Sequence, residues 1–208
     1  MNLKEALQWR YATKRMVDKK VPQDQINEIL EAIHLSPTAY GLEPYKVIVT
    51  DNKELIQKIF ETACPQIVVQ QCSHLLIFKT MKTLSSDYVE AHLQRMKEIR
   101  NASDEAIDVY RKKINELIQR TGANLPVWAS RQTYIAMSYA TIAAANLQID
   151  STPIEGFNPQ ALDKLLNLNT EKEGSTILLT LGYRDAENDH LMKYPKIRKP
   201  LSDLVEVL

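Results

Sequence analysis

Two rhythms of apolar and polar positions run along this chain. Ile26, Ile29, Leu30 and Ile33 fall at i, i+3, i+4 and i+7, the single stripe of an amphipathic helix. Pro22 opens that helix, and Ser36-Pro37 ends it, because the residue before a proline avoids the helical region. An earlier helix runs through about residue 9, started by a capping box of Asn2 with Glu5. Asp51 with Glu54 repeats that signature for a helix over roughly 52–62. The β rhythm is carried by three short runs, Lys46 to Thr50, Ser73 to Phe78 and Ser175 to Tyr183, all read as strands.

The segment 86–120 is polar, highly charged and helical in spacing, which predicts two exposed helices with a break near Asn101-Ala102-Ser103. From Val127 to Leu147 the chain is rich in Ala and carries Trp128, Ile135, Tyr139, Ile142 and Leu147. It reads as one long buried helix whose small residues permit close approach. Asn158-Pro159 starts a further helix to about Leu166. After Pro200 the tail alternates weakly, as an edge strand or a segment that wraps a partner would. There is no repeat, no low-complexity stretch and no Gly/Ser linker. The expectation is an α+β chain, richer in helix than strand, forming one domain over 1–208.

Composition narrows the function classes. The 208 residues are 44% hydrophobic and 25% charged, ordinary for a globular protein with a sizeable core. Lys plus Arg equals Asp plus Glu at 26 each, so the basic excess of a nucleic-acid binder is missing. Cys64 and Cys72 are too few for a disulfide framework and read as reduced intracellular thiols. The N-terminus shows no apolar signal region, and no run is long enough to span a bilayer, so the expected location is cytoplasmic.

Several chemistries lack their residues. The five glycines form neither G-x-G-x-x-G nor a P-loop. The four histidines are widely spaced, with no metal-ligand spacing, and His74, beside a buried strand, reads as structural. No G-x-S-x-G elbow occurs. What remains is charge. Arg10 and Lys14 stand four residues apart after the first helix, and Lys196 and Arg198 stand near the other end. A fold that joined the termini would gather a planar donor fork and point charges suited to phosphate. The same pairs also read as two solvated basic turns. The Gly156 loop could let backbone approach a ligand. The Ser36–Tyr45 loop, with two prolines, a glycine and two aromatics, could flank a planar one.

These residues together form an ordered pattern. Arg10-x-x-x-Lys14 is followed by Ser36-Pro37-x-x-x-Gly41-Leu42-x-Pro44-Tyr45-Lys46 and Ser73-His74-Leu75-Leu76-Ile77-Phe78. Then come Trp128-x-x-x-Gln132-x-Tyr134-Ile135-Ala136, Ile149-Asp150-Ser151-x-Pro153-Ile154-Glu155-Gly156-Phe157, Leu181-Gly182-Tyr183-Arg184 and Lys196-Ile197-Arg198-Lys199-Pro200. From Leu3 to Leu208 the sequence resembles the FMN-dependent nitroreductase family, of the oxygen-insensitive NAD(P)H type. That resemblance implies a mixed sheet flanked by helices and an intertwined homodimer built on the long helix, with FMN at the subunit interface. It implies hydride transfer from NAD(P)H through flavin N5 to a nitroaromatic, quinone or similar small acceptor, with no side-chain acid or base required. A flavin-binding sensor or storage protein with little turnover is the second reading, and a helical interaction protein without cofactor the third.

Carried over by position, the resemblance puts Arg10, Lys196 and Arg198 on the FMN phosphate and Lys14 at the pyrimidine end of the ring. Tyr11 and Ala12 belong to the same cofactor-binding stretch, with Ala12 standing where many members carry Ser. Pro37, Thr38, Ala39 and Gly41 pack on the flavin from the partner subunit. Glu155 and Gly156 lie beside N5, and Ile154 before them belongs to the same cofactor-binding stretch. The family's amide contact to the ring falls in the divergent segment 63–72, where Gln66 is preferred to Gln70. Trp128, Gln132 and Tyr134 are read as structural. The helices of 86–120 are expected to form a lid, with Tyr110 and Ile114 as candidate pocket residues. No metal is expected.

Overall fold

A computed structural model describes all 208 residues. Four antiparallel strands form one sheet in the order β1-β2-β4-β3: β1 (Tyr45–Thr50), β2 (His74–Met81), β3 (Asp150–Ile154) and β4 (Glu173–Gly182). Val47 pairs with Phe78, Leu76 with Leu179, and Thr152 with Thr180. Strand β3 is the element the sequence pattern missed. Pro153 is its penultimate residue, and proline is tolerated there because β3 is an edge strand.

The period-2 alternation of the central strands feeds two cores. Leu76, Phe78, Ile177, Leu179 and Leu181 point to one face, against α2 (Gln23–His34) and α7 (Leu125–Asn146). Ala136, Ala140 and Ala144 bring α7 down onto that face, the close approach expected of small residues. Leu75, Ile77 and Leu178 point the other way, against α3 (Lys53–Thr62), α4 (Ile67–Gln71) and α8 (Pro159–Leu165). Helices on both faces explain why β2 and β4 read as nearly continuous apolar runs.

Most helix starts follow the sequence signals. Asn2 and Glu5 make the full reciprocal capping box of α1 (Leu3–Trp9), and Asn158 caps α8 through the Ala161 N–H. Two expectations shift by one residue. Pro22 is the cap of α2, not its first helical residue, and α3 is capped by the Asn52 side chain in place of Asp51. The long helix begins at Leu125, two residues earlier than expected.

The charged segment folds as α5 (Ser86–Arg100) and α6 (Asp104–Thr121), broken at Asn101 in a left-handed conformation. These helices share a third cluster with Leu42 and Trp128. Ile114 is fully buried inside that cluster, which removes it as a pocket-lining candidate, while Tyr110 stays partly exposed. The tail forms no strand. It ends in one helical turn, α9 (Leu201–Leu204), with Leu201, Leu204 and Val207 exposed.

Leu179 is fully buried at the centre of the sheet, where the neighbours cannot collapse into a vacated space. Leu179→Ala should cost about 2–5 kcal/mol of unfolding free energy in urea titration, and a loss under about 1 kcal/mol would contradict this packing.

Candidate functional site

The two ends of the chain meet beside β4. Residues 13–19 run as an arm antiparallel to the segment after Gly182, with a bridge between Met16 and Arg184. The Val17 N–H donates to the Tyr183 carbonyl at 2.9 Å, and the Asp185 N–H to the Arg15 carbonyl at 3.0 Å. Arg184 sits over the rings of Trp9 and Tyr11, at 4.1 and 4.7 Å, and its Nη2 lies 2.6 Å from Asp150. A guanidinium between two aromatic faces and a buried carboxylate is a strong local fastener. On the other side, the Thr152 hydroxyl donates to the Thr13 carbonyl at 2.8 Å, which ties the arm to β3 two residues before Ile154.

Asp189 makes a second fastener. It is buried and accepts from the Tyr11 hydroxyl at 3.0 Å, the Lys14 N–H at 2.8 Å, the Leu191 N–H at 3.0 Å and the Thr13 hydroxyl. Burial opposes ionisation of this carboxyl, but the donors outweigh it and hold the group below the usual carboxylate range. Nothing in the local sequence marks Asp189, because its partners lie some 175 residues away.

These fasteners bring Arg10, Lys196 and Arg198 together. Lys196 Nζ donates to the Leu7 and Gln8 carbonyls at 2.5 and 2.6 Å, which caps the C-terminal end of α1. The side chain of Arg10 has no hydrogen-bond or ion-pair partner, and none of the three cations touches a carboxylate. Burial first, then the charge of Arg198, pushes the Arg10 guanidinium below its ordinary value. Burial, then Arg10 and Arg198, does the same to Lys196. Three uncompensated cations held within reach of one another fit a doubly charged anion. Lys14 also has no ion pair, and Ala12 between it and Arg10 contributes no side-chain donor. Tyr11 is committed to Arg184 and Asp189, so its role here is to hold the arm.

The end of β3 makes the next part. Ile154 is buried in the core and offers only its backbone, whereas Glu155 and Gly156 are exposed. Gln66 Nε2 donates to the Gly156 carbonyl at 2.9 Å. Gln70 instead donates to Gln57, so of the two amides only Gln66 reaches this turn. The Tyr134 hydroxyl donates to the Glu155 carboxylate at 2.5 Å. Burial, then this contact, pushes the phenol up to about 12. Tyr134, read from the sequence as structural, thus touches the same turn.

The Pro37–Gly41 loop lies elsewhere. The Ala39 N–H donates to buried Gln132 Oε1 at 2.9 Å, and the Tyr88 hydroxyl donates to the carbonyls of Leu42 and Glu43. The backbone here is strained at two non-glycine residues with positive φ, Tyr40 (57°) and Glu43 (45°), while Gly41 (71°) takes that region freely. His92 packs against Gly41, where an added Cβ would meet its Cε1 at 3.3 Å. Gln132 and Tyr134 are two residues apart on α7, so they point about 200° apart. The loop and the Glu155 turn thus occupy different faces of α7, and one chain does not bring them together.

The arm, the cluster of cations and the Gly156 turn on this sheet describe a small α+β protein that gathers cations without carboxylate partners where its two end segments meet. The nitroreductase family model matches residues 7–183, and the chain belongs to that family. A protein of Staphylococcus saprophyticus named for NAD(P)H nitroreductase activity is 32% identical, over 98% of this chain and 95% of its own. The major NAD(P)H-flavin oxidoreductase of Aliivibrio fischeri is 26% identical, over 97% of this chain and 96% of its own. A solved structure from Exiguobacterium sibiricum, described as a nitroreductase in complex with FMN, shares the fold. Its TM-score is 0.83 at 14% identity, covering 100% of this chain and 98% of that one.

Acid tests the clamp on the 37–41 loop. His92 is buried and its Nε2 has no hydrogen-bond partner. Burial is the main cause that lowers its pKa, so the folded state prefers the neutral ring. The unfolded chain takes up this proton near pH 6.5, and stability falls as pH drops below that value towards the depressed folded one. Thermal unfolding of the wild type should lose more between pH 7 and pH 5 than that of His92→Gln, and equal losses would contradict the assignment.

Proposed function

We propose that this chain is an FMN-dependent NAD(P)H oxidoreductase acting on nitroaromatics, quinones or similar small acceptors. The observation that carries the reading is the cluster of Arg10, Lys196 and Arg198, which the fold gathers from both ends of the chain and leaves without a carboxylate. The names of the relatives, a flavin oxidoreductase and NAD(P)H nitroreductases, support the same activity.

The residues fit the cofactor. Arg10, Lys196 and Arg198 would take the phosphate, with Arg forks matching its oxygens. Lys14, on the same arm, would lie at the pyrimidine end, where a cation favours negative charge on the ring. Gly156, without a side chain, and Gln66 beside it would face the ring edge. Bound there, FMN supplies the hydride-accepting chemistry. This chain's share is to bind, orient and shield it.

Two copies would complete the site. Pro37, Thr38, Ala39 and Gly41 of one copy would meet the Gly156 turn of the other, which explains their separation on α7 within one chain. A surface suited to a second copy is present: Leu3 and Leu7 on α1, and Val127, Ile135 and Tyr139 on α7, which pack side by side, are exposed apolar residues. In this reading residues 1–208 form one domain and α5 and α6 form its lid. The protein works in the cytoplasm, where Cys64 and Cys72 stay free thiols, and no helix is long and apolar enough to cross a membrane.

The purified protein should show the visible bands of bound flavin. Those bands should bleach with NADH or NADPH in the absence of oxygen and return when a nitroaromatic or quinone is added. A colourless protein that takes up no added FMN, or a bound flavin that neither donor reduces, would contradict the reading.

A further inference from the structure

We propose that Asp189 is a positioning residue that gives the site its selectivity for a phosphorylated flavin over an unphosphorylated one. The proposal rests on the reading of Arg10, Lys196 and Arg198 as the phosphate clamp. Three like charges held together repel one another, and two arms of the chain carry them. Arg10 rides on the N-terminal arm. Lys196 and Arg198 ride on the segment that leaves the turn at 185–192. Some contact must hold the arms together against that repulsion before any anion arrives.

Asp189 is placed to do so. It follows Arg10 in space through Tyr11, Thr13 and Lys14, and precedes Lys196 by seven residues in the chain. Its two oxygens divide the work. Oδ2 takes the arm, through the Tyr11 hydroxyl, the Thr13 hydroxyl and the Lys14 N–H. Oδ1 takes the turn, through the Leu191 N–H at 3.0 Å. The turn itself is fixed by Asp185, which accepts from the Glu187 and Asn188 N–H groups at 3.1 Å each, and whose carbonyl receives the Asp189 N–H at 2.9 Å.

A buried carboxylate is costly unless its lone pairs are used. Here four donors use them and no cation pairs with it, so the acid is not spent on neutralising the clamp. A neutral amide cannot replace it. Asn has one acceptor oxygen, and its NH2 would face either the Leu191 N–H or the donors of the arm. The link between the arm and the turn would then loosen, although the contacts to Tyr183, Asp185 and Thr152 remain. Loosening the arms leaves the Gly156 turn and Gln66 untouched, because those rest on β3 and α4. The loss should therefore fall mainly on the phosphate, with Lys14 on the same arm the one ring contact it also weakens.

The test compares FMN with riboflavin, which lacks the phosphate. Both are titrated into deflavinated full-length protein by flavin fluorescence. Wild type should bind FMN more tightly than riboflavin. In Asp189→Asn the ratio of the two affinities should fall at least tenfold, because riboflavin binding weakens far less than FMN binding. Thr13→Val, which removes one donor to the same oxygen and keeps the shape, should lower the ratio in the same direction by less. It also serves if Asp189→Asn fails to fold. An unchanged ratio in the variants, or an equal loss for both flavins, would overturn the proposal and leave the clamp standing. A wild type that does not distinguish FMN from riboflavin would overturn the clamp itself, and the proposal with it.

Discussion

The first and last segments of the chain lie side by side, and the site depends on that contact. The arm at residues 13–19 has no helix to stiffen it. It is held by backbone hydrogen bonds to Tyr183 and Arg15's partner Asp185, and by the Thr152 hydroxyl from β3. Arg184, fixed between Trp9, Tyr11 and Asp150, pins its root. Remove these contacts and Arg10 and Lys14 become what their spacing alone suggests, two solvated cations. With them in place, charges from positions 10, 196 and 198 share one small region.

That region is electrostatically unfinished. Protein folds normally place a carboxylate near such a cluster, and this one places only carbonyls, at the end of α1. The acids nearby are used otherwise: Asp150 by Arg184, Asp189 by hydroxyl and amide donors. The positive charge of the cluster is thereby left without a carboxylate.

Local chemistry was legible in the sequence and long-range chemistry was not. The capping box of Asn2 and Glu5, the cap at Asn158-Pro159 and the break near Asn101 are contacts within a few residues, and each forms as its spacing implies. Strand β3 was hidden because Pro153 argues against a strand, and only its place at the sheet edge makes proline harmless. The order of motifs pointed to the family and to the cations at both termini. Of the two amides in the divergent segment, Gln66 bonds to Gly156 and Gln70 to Gln57. Asp189 and the Tyr134–Glu155 contact had no signal at all. A single Asp in a polar turn, or a Tyr on a long helix, looks the same whether or not a partner waits 21 or 176 residues away.

The most direct test is a structure of the protein with FMN bound. The account predicts the phosphate in hydrogen-bonding contact with Arg10 and Arg198, Lys196 beside it, and Pro37–Gly41 of a second copy against the ring. A phosphate turned to solvent, with the three cations facing elsewhere, would contradict it.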